Sequence, residues 1–135
     1  MSGTDLGLVY LDTSAFLKLV AEEDESAALR RHLRRGRLRT SAVLLQTEAL
    51  RAAARLSADH LALARLLLRG LALVQIDRQL YSTAGLLAPP ELRSLDALHV
   101  AAALTLGQDL AEFVTYDSRM IGAARSQGLP VVTPT

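Results

Sequence analysis

Along this chain short unbroken apolar runs alternate with longer stretches whose apolar residues recur at helical spacing. Gly7-Leu8-Val9-Tyr10-Leu11 is continuously apolar, as a strand buried on both faces requires. Asp12, Thr13 and Ser14 follow, all three N-cap residue types, and residues 15–20 read as a short helix. The acidic run 22–25 and the bases Arg30, Arg31, His32, Arg34 and Arg35 bracket a second helix, which Gly36 stops. Acid at its start and base at its end suit the helix dipole. Arg39–Ala42 predicts a second strand, and 43–56 and 57–69 two helices, the latter closed by Gly70. Residues 71–76 predict a third strand, with Asp77 capping a helix over 78–87. Beyond the rigid Ala88-Pro89-Pro90 break, Ser94 opens the strongest helix, 95–106, which Gly107 ends. Residues 112–116 predict the fourth strand and 130–133 a last short one. Between them Asp117-Ser118 caps a helix that Gly128 ends.

Strands alternating with helices or helix pairs predict an α/β fold: one domain over residues 1–135, a parallel central sheet of four to five strands flanked by helices. In open sheets of this kind, sites form beyond the carboxyl ends of the strands. That places Asp12, Asp77 and Asp117, each read as immediately following a strand, where chemistry is expected.

Composition narrows the classes. With 135 residues, 50% of them apolar and 21% charged, the chain is a folded domain rather than a disordered polyelectrolyte. No run of about 18 apolar residues exists to span a membrane; the richest candidate, 61–76, is broken by Arg65, Arg69 and Gly70. The polar start Met1–Asp5 lacks the basic and apolar regions of a signal peptide, so a cytoplasmic protein is expected. The chain has no cysteine, which removes disulfides, thiolate metal sites and a cysteine nucleophile, and suits a reducing compartment. A net charge of +1 gives no global case for nucleic acid, so the placement of each sign decides.

Three acids stand out by context. Asp12 ends one apolar run, Asp117 ends another in Val114-Thr115-Tyr116-Asp117, and Asp96 lies in an almost wholly apolar helix. A carboxylate on such a helix is buried at considerable cost or faces a shared polar site. Glu48 is a weaker candidate, because Arg51 and Arg55 follow on nearby turns and an ordinary surface ion pair would explain it. Helix capping would equally explain Asp12, Asp77 and Asp117, and the first-turn dipole would explain Asp96.

Taken together, Tyr10-Leu11-Asp12-Thr13-Ser14, Thr47-Glu48-Ala49-Leu50-Arg51, Ser94-Leu95-Asp96-Ala97-Leu98-His99 and Thr115-Tyr116-Asp117-Ser118-Arg119 resemble the PIN-domain ribonuclease pattern. Within it the chain is similar to the VapC toxins of bacterial type II toxin–antitoxin systems, from Val9 to Val132. The resemblance implies a metal-dependent endoribonuclease whose Asp12 and Asp96 are direct metal ligands, with Glu48 and Asp117 completing the acidic set. Asp77 matches none of these positions and stays a cap. Oxygen-only ligands suit Mg2+, with Mn2+ an alternative, and the scarcity of nearby histidine argues against zinc. One ion would lower the pKa of a bound water to make the nucleophile. Thr13, Ser14 and Thr115 are candidate donors behind the ligands. His99 reads as a hydrogen-bonded core histidine, and His32 and His60 as surface residues.

Arg51 and Arg119 are candidate RNA contacts. The denser basic segment Arg30, Arg31, Arg34, Arg35, Arg37 and Arg39 reads first as a solvated helix end. An aromatic content of 4% excludes a broad base-stacking platform. The resemblance further implies a cognate antitoxin covering the apolar helices of 43–73, a basic antitoxin side chain blocking the carboxylates, an RNA substrate, a homodimer and no membrane. A non-catalytic PIN-fold RNA-binding module is the alternative. A haloacid-dehalogenase-type phosphatase needs an acid two residues after its nucleophile, where Ser14 stands. A receiver domain needs a late lysine, and Lys18 is the only one.

Overall fold

The computed structural model describes residues 7–135; Met1–Asp5, read above as a polar start, lies outside them. Five strands form one parallel sheet: β1 (Leu8–Leu11), β2 (Arg39–Ala42), β3 (Ala72–Val74), β4 (Leu110–Val114) and β5 (Val131–Val132). Their spatial order is β3-β2-β1-β4-β5. The chain moves outward from β1 through β2 to β3, then returns to the other side of β1 to lay down β4. The order therefore reverses between β1 and β4, and the crevice of an open α/β sheet opens at such a switch.

Seven helices connect the strands: α1 (Thr13–Val20), α2 (Ser26–Leu33), α3 (Leu44–Leu56), α4 (Ala58–Leu68), α5 (Arg78–Gly85), α6 (Ser94–Leu104) and α7 (Ser118–Ser126). Side-chain alternation in the central strands explains why their sequences are apolar throughout. Tyr10 and Phe113 pack against α5, α6 and α7, whereas Val9, Leu11 and Val114 pack against α1 and α2. A third cluster joins Phe16 and Val20 of α1 to Leu45, Ala49 and Ala53 of α3 and to Ala64 and Leu68 of α4. α6 is buried along its whole run from Ala97 to Ala103, and its alanines allow close approach to the sheet. Among the described residues no helix is long and apolar enough to cross a membrane.

The observed elements depart from the sequence reading in ways that have local causes. β4 runs over Leu110–Val114 rather than 112–116, so Asp117 does not immediately follow its strand. Thr115 N–H still reaches Val132 O at 3.4 Å, but the next two backbone donors turn to side chains: Tyr116 N–H donates to Ser14 Oγ at 2.9 Å and Asp117 N–H to Thr115 Oγ1 at 3.2 Å. β3 is an edge strand of three residues, and two residues likewise separate its end from Asp77; Leu71 and Ile76 pack into the core without joining the ladder. α1 starts two residues early because Asp12 is its N-cap.

His32 and His60 lie half-buried at the surface, each with a hydrogen-bond partner. His60 Nδ1 lies 2.6 Å from Ser57 Oγ at the start of α4. His32 Nε2 lies 2.6 Å from Oε1 of Glu112, a residue of β4 that is only 8% exposed. Arg37 and Arg35 approach the other oxygen of Glu112 at 3.3 and 3.8 Å. The basic segment is thus clamped to the sheet by one nearly buried acid. Removing that acid strands a histidine and an arginine beside a low-dielectric surface. Glu112→Ala is expected to lower stability by about 2 kcal/mol, which calorimetry should read as a melting temperature lower by about 7 °C.

Candidate active site

Asp12 leaves the carboxyl end of β1 and does two jobs. Its Oδ1 caps α1, accepting from Ala15 N–H at 2.9 Å and from Ser14 Oγ–H at 2.7 Å, while Oδ2 accepts from Thr115 Oγ1–H at 2.5 Å. At 2% exposure it is the most deeply buried acid of the predicted set. Burial pushes its carboxyl above the ordinary range, although the hydrogen bonds from Thr115, Ser14 and Ala15 and the nearby His99 pull the other way. Desolvation outweighs these four contacts, so burial disfavours the ionised form.

Glu48 projects from α3 and shows no arginine partner; its Oε1 takes Thr13 Oγ1–H at 2.6 Å and lies 3.0 Å from His99 Nε2. The surface ion pair with Arg51 or Arg55 is therefore absent among the described residues. Asp96, in the first turn of α6, has Oδ2 3.2 Å from Arg93 Nε. Asp117 uses Oδ1 as the N-cap of α7, accepting from Arg119 and Met120 N–H at 2.9 and 3.4 Å. Its Oδ2 lies 3.4 Å from a second nitrogen of the same Arg93. One guanidinium thus ties two acids from different helices.

Hydrogen bonds, ion pairs and the chain itself link the set at the carboxyl end of the sheet. Thr115 joins Asp12 to Asp117, the adjacent residues Asp12 and Thr13 join β1 to Glu48, and Arg93 joins Asp117 to Asp96. Among the described residues, no three carboxylate or imidazole groups converge closely enough to hold a metal ion. The donor chemistry nevertheless fits a hard divalent ion: the predicted ligands are all carboxylates, and a cationic side chain already sits between two of them. Mg2+ commonly takes one or two carboxylates and fills the rest of its shell with water and phosphate oxygens. Asp77 stands apart as the cap of α5, accepting from Leu80 N–H at 2.8 Å.

Arg93 and Tyr10 escaped the sequence reading, whereas His99 is the hydrogen-bonded core histidine expected. Arg93 was readable only as a base three residues ahead of Asp96, a spacing that puts both on one helical face. Tyr10 and His99 are each a lone polar group in an apolar element, and buried groups of that kind require partners. They partner each other, with Tyr10 Oη 2.6 Å from His99 Nδ1. Arg51 and Arg119 are exposed, and Arg119 with Arg93, Pro89, Leu92 and Ser118 lines a groove of about 620 Å³ between the 88–93 loop and α7.

Comparison with known proteins agrees with this architecture. The family model described as PIN domain matches residues 9–126. Ribonuclease VapC46 of Mycobacterium tuberculosis is 42% identical over 130 residues, covering 96% of this chain and all of the relative. Ribonuclease VapC47 of the same species is 35% identical, and Ribonuclease VapC35 is 40% identical, each covering 94% of this chain and 97% of the relative. Among solved structures, VapBC2 from Rickettsia felis bound to a DNA fragment from its promoter superposes with a TM-score of 0.71. It covers 95% of this chain and 99% of its own at 13% identity, which supports the fold.

Proposed function

The chain belongs to the PIN-domain family, and from that premise we propose that it is a metal-dependent endoribonuclease toxin neutralised by a cognate antitoxin. One observation carries the reading. Asp12, Glu48, Asp96 and Asp117, from β1, α3, α6 and the start of α7, join one network at the switch point of the sheet. The matched relatives named above are all ribonucleases.

Asp12 and Asp96 are the residues that would hold Mg2+ or Mn2+ directly, with Glu48 and Asp117 binding directly or through water. The bound ion would supply a water of lowered pKa and neutralise charge on the phosphate. Ser14 and Thr115 keep Asp12 from rotating, and Thr13 does the same for Glu48. Arg93 offsets the charge of Asp96 and Asp117 and, being exposed, is free to move to a phosphate. The groove that Arg93 shares with Arg119 gives single-stranded RNA a path beside the carboxylates, and Arg51 offers a second phosphate contact from α3.

The partner reading has its own support. Leu56, Leu63 and Leu66 are exposed on α3 and α4, where an antitoxin segment would cover them. Arg93 between two acids is a pattern an antitoxin arginine would imitate in blocking the cleft. A homodimer belongs to the same proposal.

Purified protein is expected to cut RNA with Mg2+ or Mn2+ and to stop when EDTA is added. Arg51→Ala and Arg119→Ala should each raise KM about threefold with little change in kcat, as loss of a phosphate contact does. Binding of RNA without cleavage under either ion would leave the non-catalytic module as the answer.

A further inference from the structure

We infer that Tyr10 and His99 form a buried relay that orients Glu48, making both positioning residues for the reaction. The kinetic part of this inference rests on the ribonuclease reading; the hydrogen-bond part does not. His99 is 1% exposed in the middle of α6, and Tyr10 is fully buried in β1. The Tyr10 ring is fixed by stacking on Phe113, with centroids 5.1 Å apart and planes at 9°. It meets the His99 ring edge-on at 5.7 Å and 87°. Neither ring can turn without disturbing the core, so the hydroxyl and imidazole have one relative placement.

Counting protons settles the direction of the bonds. An ionised carboxylate only accepts, so the contact between His99 Nε2 and Glu48 Oε1 at 3.0 Å requires a proton on Nε2. Thr13 spends its single hydroxyl proton on the same Oε1, so its 3.0 Å contact with Nε2 is also donated by the imidazole. At the other end, His99 Nδ1 lies 2.6 Å from the buried Tyr10 hydroxyl. A neutral imidazole carries one proton; with that proton on Nε2, Nδ1 can only accept, so Tyr10 O–H donates to Nδ1 and Nε2–H donates onward to Glu48. Among the described residues no buried polar side-chain atom is left without a partner.

The consequence falls on Glu48. Two donors from two elements hold Oε1, which fixes the carboxylate plane and leaves Oε2 for a water or an ion. A glutamate on a helix otherwise samples several rotamers, and losing the productive one lowers turnover without weakening RNA binding. Partners that orient a site carboxylate are typically worth 10–100-fold.

Imidazole nitrogen NMR on the wild-type protein near neutral pH should show His99 protonated at Nε2 and bare at Nδ1. The opposite tautomer would overturn the relay. In Tyr10→Phe, which keeps the ring packing, the two nitrogen shifts should move toward the averaged values of a freely exchanging imidazole; unchanged shifts would count against it. In RNA cleavage, Tyr10→Phe is expected to lower kcat about 10-fold and His99→Leu about 100-fold, with KM within about twofold. His99→Gln, which keeps an N–H at comparable reach, should recover most of the His99→Leu loss. Wild-type kcat in Tyr10→Phe overturns the relay even if His99→Leu does not fold. A wild-type protein that cuts no RNA overturns the nuclease reading instead, and the tautomer then decides the relay.

Discussion

Asp12→Asn is expected to abolish RNA cleavage and yet to melt about 3–5 °C above the parent in metal-free buffer near neutral pH. The two effects share one cause. Asp12 is buried among groups that hydrogen-bond to it but do not neutralise it, and burial dominates the balance. A carboxyl whose pKa is raised in the folded state stabilises the fold when protonated. That contribution is fully present below the ordinary carboxylate range and is lost as pH rises through the folded-state pKa. Above that point ionised Asp12 is a net cost.

Asparagine removes the charge and keeps most of the bonding. Its Oδ1 still caps α1 through Ala15 N–H and accepts from Ser14. Its amide N–H would donate to Thr115 Oγ1, whose own proton can turn to Ser14 Oγ 3.4 Å away. The advantage of the variant should shrink as pH falls toward the usual carboxylate range, because wild-type Asp12 takes up its proton there. Calorimetry in EDTA across that range checks the sign. A variant that melts lower at neutral pH, or that still cuts RNA, would sink the assignment of Asp12 as a charged site residue.

How much of this was legible before the fold depends on what each residue answers to. β1 was readable because a strand covered on both faces must be apolar throughout, and β2 matched the expected Arg39–Ala42 residue for residue. The end of β4 was not, because Thr115 and Tyr116 look like strand residues and Tyr116 N–H turns to the hydroxyl of Ser14, distant in sequence. Asp12 and Asp117 read equally as caps and as site acids, and they are caps with one oxygen each. Spacing could not show that the remaining oxygen of each is joined to a shared network. Glu48 was ambiguous for the same reason: the neighbours that decide its role, Thr13 and His99, are distant in sequence. Glu112 hid inside an apolar strand, and nothing local marked His32 as its partner.

The second large effect concerns the ion itself. Mn2+ or Mg2+ at a hundredfold excess over Kd should raise the melting temperature of the wild-type protein by about 10 °C, because a ligand that binds only the folded chain adds about 2.7 kcal/mol at that excess. Asp12→Asn should lose most of that shift. Arg93→Gln should move the other way. Its guanidinium sits 3.2 and 3.4 Å from Asp96 and Asp117 on a side chain that is 62% exposed, close enough to compete and loose enough to leave. An incoming ion must displace it, so removing it should tighten metal binding about threefold by titration calorimetry, equivalent to about 0.7 kcal/mol. The same variant should bind RNA more weakly, since the displaced guanidinium is then missing from the phosphate path. Tighter metal with weaker RNA separates Arg93 as a movable counter-charge from Arg93 as a mere surface base, which would leave metal affinity untouched. If neither ion shifts the melt nor releases heat on titration, the carboxylates of this cleft do not form a metal site.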